Sequence, residues 1–167
     1  MKILAALATL ILVPSLAMAA APQPAQAVPP GMYAGRWFQI AQILQTDHHP
    51  CHEGVDEFVP SAKGGFTIIM TCQGYLGGPR SVSAHGEVTP GSGGAKFKLS
   101  FLGGLIRQEY WVLDHAADQS WALMATPGGN FLWLLARKPA LSAADHATAC
   151  ARIRALGFDL AKLTPDR

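Results

Sequence analysis

Between Gly35 and Arg137 the chain is cut into short apolar runs by clusters of glycine and proline. These are Gly64-Gly65, Gly77-Gly78-Pro79, Pro90-Gly91-Ser92-Gly93-Gly94, Gly103-Gly104 and Pro127-Gly128-Gly129. Such punctuation is the pattern of an all-β sandwich or barrel. The intervening runs predict strands at 36–43, 54–60, 66–73, 81–89, 95–102, 108–114, 120–125 and 130–136. The clearest alternation is Lys96-Phe97-Lys98-Leu99-Ser100-Phe101, with three apolar residues on one face and three polar residues on the other. Phe66, Ile68, Met70 and Cys72 likewise share a face, as do Phe131, Trp133 and Leu135. Eight strands with short connections predict an antiparallel up-and-down barrel, which leaves no free edge.

The ends of the chain read differently. Met1-Lys2, an apolar run from Ile3 to Leu16 and then Ala17-Met18-Ala19 have the form of a secretory signal peptide, with cleavage expected after Ala19. As a membrane span the run is short, and Pro14 breaks it. No cysteine lies near the cut, so a diacylglycerol anchor would have no attachment point. Residues 20–30 are Pro- and Ala-rich and predict an extended arm, leaving 31–167 as a single domain. Lys2 leaves with the leader, so the 13 Lys and Arg fall to 12 against 11 Asp and Glu. That near-neutral balance, without a basic stripe, speaks against nucleic acid as a partner.

One helix is expected after the strands. Ser142 with Asp145 three residues on resembles a capping box, and Ala143 to Leu156 is rich in helix formers. Gly157 supplies the stop. Ala149, Ile153 and Leu156 fall on one side, so the helix should pack against the outside of the barrel.

The first folded stretch is Tyr33-Ala34-Gly35-Arg36-Trp37-Phe38-Gln39-Ile40-Ala41. Gly35 permits a tight turn, and Trp37 is a large anchor with one N–H to satisfy. Arg137, near the end of the last strand, could lie over that ring. Gly-x-Trp is a weak motif alone, since an ordinary turn before a core Trp gives the same residues. With eight strands, the late Arg137 and one following helix, however, the chain resembles the lipocalin family, and within it the bacterial lipocalins. Gly35-Arg36-Trp37-Phe38-Gln39-Ile40-Ala41 is similar to their opening, and Phe131-Leu132-Trp133-Leu134-Leu135-Ala136-Arg137-Lys138-Pro139 to their last strand. Gly157-Phe158-Asp159 resembles the segment after their helix. Gly35, Trp37 and Arg137 would then be structural. The family's Asp and Tyr before the seventh strand are replaced by Ala116 and Gln119, with Asp118 between them. A polar residue common in the family's third strand is Met70 here.

The resemblance implies a barrel with two ends. Loops near 44–53, 74–80, 103–107 and 126–129 would surround the mouth, and those near 61–65, 90–94 and 115–119 would close the base. Cys51 and Cys72 would meet at the mouth as a disulfide, leaving Cys150 as a buried thiol. A pairing through Cys150 is the alternative, since some lipocalins tie the C-terminal segment to the barrel. Parity from Trp37 turns Gln39, Ala41, Phe58, Phe66, Ile68, Met70, Phe97, Leu99, Phe101, Phe131 and Trp133 inward. Tyr110 or Trp111 joins them; that strand is apolar on both faces, so periodicity does not decide. The expected ligand-binding set is therefore Gln39, Phe58, Phe66, Ile68, Met70, Phe97, Leu99, Phe101, Leu105, Arg107, Tyr110, Phe131 and Trp133.

The resemblance implies a carrier or scavenger of a fatty acid, lysophospholipid or similar lipid; with the leader, it would be exported, to the periplasm of a Gram-negative bacterium, and it is not expected to be an enzyme. It would work as a monomer or weak homodimer, without a cofactor. An apolar inward face suits an elongated hydrophobe, and Arg80 and Arg107 could attract an anionic head group. The competing account is a filled barrel whose inward residues are only core. Leu102, Leu105 and Ile106 surround two glycines in a connection where polar residues are the norm. They would either fold back as a plug over the mouth or form the ligand's entrance and meet a bilayer or a second subunit. A second reading is a metal- or haem-binding module using His48, His49 and His52, although their spacing matches no known metal motif. A lipid-acting enzyme is a third, but no nucleophile elbow, phosphate loop or usefully spaced pair of carboxylates supports catalysis.

Overall fold

Eight consecutive strands run antiparallel, each hydrogen-bonded to the next along the chain, and the first pairs with both the second and the eighth. The computed structural model describes residues 20–44, 51–62, 64–75 and 77–166. Its strands are β1 (Gly35–Ile43), β2 (Cys51–Pro60), β3 (Phe66–Gly74), β4 (Pro79–Val88), β5 (Lys96–Phe101), β6 (Ile106–His115), β7 (Trp121–Ala125) and β8 (Leu132–Ala136). The helix α1 (Ala143–Ala155) and a two-residue strand, β9 (Thr164–Pro165), follow. The sheet therefore closes into the expected barrel. β2 starts at Cys51 rather than 54 because Cys51 and His52 find ladder partners in Gly74 and Gln73. β9 was not anticipated; two residues carry no periodicity to read.

Alternation sorts the barrel into two cores. The inward one draws Trp37, Phe58, Phe66, Ile68, Ala84, Phe97, Leu99, Val112, Ala122, Met124 and Leu135 from all eight strands. The outward one gathers Leu113, Leu123, Leu132 and Leu134 under the helix residues Ala149 and Ile153, with Leu156 packed beside them. Ser142 Oγ accepts from Asp145 N–H at 3.1 Å and caps α1 as expected, and Gly157, at φ +87°, ends it. Tyr110 faces inward, stacked on Phe97 at 5.5 Å, whereas Trp111 belongs to the outer core. Cys150 is half-buried beside His146 rather than enclosed, because it sits at the margin of the helix face that packs.

Ala41 corrects the parity. The β1–β8 register slips between Gln39 and Ala41, so one extra residue is taken up there. Ala41 turns to the outer core and Gln42 takes an inward place. A single bulge thus replaces a methyl group by an amide in the barrel's interior.

The base is closed by the turn Pro30–Tyr33, which ends with Tyr33 inside the barrel. Its ring stacks on Phe66 at 5.0 Å and meets Phe97 edge-on at 5.4 Å. Its hydroxyl donates to Gly94 O at 2.5 Å, and burial pushes the phenol well above its ordinary pKa. Below it Trp37 Nε1 donates to Met32 O at 3.0 Å. Arg137 lies 3.8 Å over the Trp37 ring and donates to Ala34 O and Gly31 O at 2.6 and 2.9 Å. The replaced Asp and Tyr positions leave this closure intact, for it rests on Tyr33, Trp37 and Arg137. The arm 20–30 is extended and docked: Ala21 N–H donates to Pro127 O and Val28 N–H to Gly93 O.

Candidate functional site

Above the aromatic base the inward positions change character. Along β1 they are Gln39 and, past the bulge, Gln42; along β2 they are Asp56 and Gly54. Adjacent residues in a strand face opposite ways, so Asp56 turns in while Glu57 reaches Arg36 outside at 3.6 Å. Gln39 Nε2 donates to both oxygens of Asp56, at 3.1 and 3.2 Å. Burial pushes the Asp56 carboxyl up to about 7; the Gln39 bonds oppose this and the nearby charge of Asp166 adds to it. Tyr110, also buried and facing the Asp56 charge, is pushed up to about 12.

A cavity of about 500 Å³ opens among these groups. Met70, Val82, Leu44 and Trp133 form its apolar wall, and Gln39, Gln42, Arg80, Ser81 and Asp166 its polar one. Cys51 and Cys72 line it too, joined in a disulfide with Cα atoms 5.7 Å apart. The bond spans 21 residues and contributes on the order of 3 kcal/mol through the unfolded chain. It settles the pairing and leaves Cys150 free.

Of the residues expected to bind ligand, Gln39, Met70 and Trp133 line this cavity. Phe58, Phe66, Ile68, Phe97 and Leu99 lie lower, in the packed interior around Tyr33, and Phe101 and Tyr110 pack against its upper edge. Phe131 stacks on Trp133 at 5.9 Å. Leu105 and Arg107 are exposed at the β5–β6 hairpin. With Leu102 71% and Leu105 85% accessible, the hairpin is no plug: its short turn holds these side chains away from the barrel. The polar groups of the cavity beyond Gln39 and Arg80 enter by routes that parity does not register: the bulge before Ala41 turns Gln42 inward, and Asp166 arrives from the C-terminal segment.

His52 packs its ring 5.1 Å from Tyr75; His48 and His49 lie outside the described residues. Among the described residues no three His, Cys, Asp or Glu side chains gather closely enough to hold a metal ion. No described helix is long and apolar enough to cross a membrane.

The lipocalin-like domain family matches residues 31–166, from the turn that carries Tyr33 to the carboxylate beside the cavity. The chain belongs to the lipocalin family. Lipocalins are mostly binding and carrier proteins, and their fold typically holds small hydrophobic ligands. Among solved structures this lipocalin is similar to insecticyanin from the tobacco hornworm Manduca sexta, at 15% identity and a TM-score of 0.72, covering 87% of this chain and 83% of that one. It is also similar to lobster apocrustacyanin A1, at 14% identity and a TM-score of 0.63 over 81% and 77% of the two chains. The cockroach allergen Per a 4 aligns at 12% identity and a TM-score of 0.66 over 87% and 95%. At such identities the likeness is one of fold. No curated protein sequence matches the chain.

Proposed function

We propose that this lipocalin is an exported carrier or scavenger of a small amphipathic lipid, such as a fatty acid or lysophospholipid, held in the barrel cavity. The observation that carries the reading is the 500 Å³ space, walled on one side by Met70, Val82 and Trp133 and edged with amides and Arg80. Burying roughly ten methylenes there would contribute on the order of 8 kcal/mol gross. After the costs of ordering, binding falls in the micromolar range. The remaining inward residues of the expected set, from Phe58 to Leu99, would act as the floor on which the chain end rests.

The disulfide fits an oxidising compartment. Residues 1–19 would be removed on export, and the compartment would be a bacterial periplasm. The exposed Leu102, Leu105 and Ile106 would touch a bilayer during loading, with Arg107 beside them for an anionic head group. Native mass spectrometry of the protein recovered from its own host tests the main reading. Extra mass that dissociates as a lipid on activation supports it. A metal, a haem or a uniformly empty barrel in freshly isolated protein overturns it.

A further inference from the structure

The barrel is not closed evenly along its height. β1 and β2 pair only from Gly35 with Phe58 to Phe38 with Val55. Above that point β2 breaks register between His52 and Val55, with Glu53 at φ +55°. The edge of β1 that β2 vacates is taken by β9, through just two residue pairs, Ala41 with Pro165 and Gln42 with Thr164. The other edge of β1 is paired with β8 from Phe38 to Ile43. The C-terminal segment is therefore a short stave filling a gap between the first two strands.

Asp166 ties that stave to both sides. Its N–H donates to Ile40 O on β1 at 3.1 Å. Its carboxylate accepts from Gly54 N–H on β2 at 2.6 Å and from Gln42 Nε2 at 3.2 Å. The side chain is buried and lines the cavity. Gly54 leaves room for this arrangement: a Cβ there would lie 2.6 Å from Gln39 Cδ and 3.0 Å from Asp166 Oδ2. The Cys51–Cys72 bond meanwhile fastens the upper end of β2 to β3, its ladder partner there. Thr164 and Pro165 are exposed; two ladder pairs, the Asp166 bonds and the donation of Thr164 Oγ1 to Gln42 O at 3.1 Å hold a segment far shorter than the barrel strands around it, and such a segment opens more readily than they do.

We propose that residues 164–166 are a latch over a side portal: the ligand reaches the cavity between β1 and β2 when this segment lifts, and Asp166 is the residue that closes it. The proposal rests on the reading of the cavity as the ligand site. It is a regulation of that site by the chain's own C-terminal segment, with Asp166 acting as a positioning residue.

The test compares uptake rates of a neutral fluorescent naphthylamine, N-phenyl-1-naphthylamine, by stopped flow. A Cys150→Ala background serves as control. In it, Ala41→Cys with Pro165→Cys places two thiols on directly paired residues, neither of which lines the cavity, and staples the latch shut. The staple should slow probe association and dissociation at least tenfold while changing Kd less than threefold. Asp166→Asn should instead speed both rates several-fold and hasten hydrogen exchange at the Gly54 amide, a readout that a loss of overall stability alone would not confine to one residue. Stapled protein loading at the control rate overturns the latch and leaves the cavity reading standing. Failure of the unmodified chain to take up the probe at any rate overturns the cavity reading, and the latch with it.

Discussion

At the closed end, Tyr33, Phe58, Phe66 and Phe97 fill the barrel with rings whose centroids lie 5.0 to 5.9 Å apart. At the open end of the same strands, Gln39 and Gln42 hold inward positions that line a cavity, and Asp56 is buried behind Gln39. The closed end is specified by shape. Gly86, for instance, must lack a side chain, since a Cβ would lie 2.2 Å from the Phe66 ring. The open end is specified by hydrogen bonds between groups that water would otherwise solvate, and Asp56 is held there against its preference for ionisation. Close packing stabilises and leaves no room to bind; polar groups around a space do the reverse. The barrel's stability and its capacity for a ligand therefore reside at opposite ends.

The contrast breaks most visibly at Phe66. It is almost fully buried and touches Tyr33, Phe58 and Phe97. Phe66→Ala should cost about 3–5 kcal/mol of unfolding free energy, measured by urea titration, and should lower probe affinity by no more than a few-fold, since only the ligand's end would rest on this floor. A large loss of affinity at constant fold would show that the two ends are not separate.

Asp56 gives an effect of opposite sign. Its folded pKa of about 7 lies above the unfolded 3.8, so the folded state holds the proton more tightly between those values. Stability from this group is fully present at low pH, falls as pH rises through that window, and is lost above it. Each tenfold change in proton affinity is worth about 1.4 kcal/mol, so Asp56→Asn should stabilise the protein by about 2–4 kcal/mol at pH 8 and by little at pH 4. Equal stabilities of the two proteins at both pH values would mean that the carboxylate is solvated, and that the open end is wetter than its packing indicates.

The closed end was legible in the sequence because it follows from parity. Phe97 and Leu99 alternate with polar neighbours, Phe66 shares a face with Ile68 and Met70, and Gly35, Trp37 and Arg137 stand at readable places. The capped helix was legible from local pattern, whereas the disulfide followed from the mouth positions that the family resemblance implied for Cys51 and Cys72, with a pairing through Cys150 as the alternative. Tyr33 was not singled out, since a turn residue belongs to no strand period. The open end was harder because each of its polar groups escapes alternation. Gln42 enters through a bulge that a count from Trp37 does not register. Asp166 arrives from the far end of the chain, beyond a strand of only two residues. Asp56 had a signal, being two residues before Phe58 on the same face, where a lone carboxylate in a barrel interior stands out.

The smallest expected effect on stability is at the β5–β6 hairpin, and it bears on which end meets a membrane. Leu105 is 85% exposed and Ile106 53%, so Leu105→Ser with Ile106→Ser removes little buried area and should change stability by less than about 0.5 kcal/mol. Association with vesicles should nevertheless fall, because these are among the few large apolar side chains that the described surface leaves in water. Arg107→Ala should act differently, weakening association with anionic vesicles more than with neutral ones, and more so at low salt, where an exposed charge is least screened. Co-sedimentation with phosphatidylcholine vesicles, with and without phosphatidylglycerol, separates the two contributions. If the double variant sediments as the unmodified protein does, the hairpin is not the contact. Loading would then not depend on a bilayer contact at this hairpin.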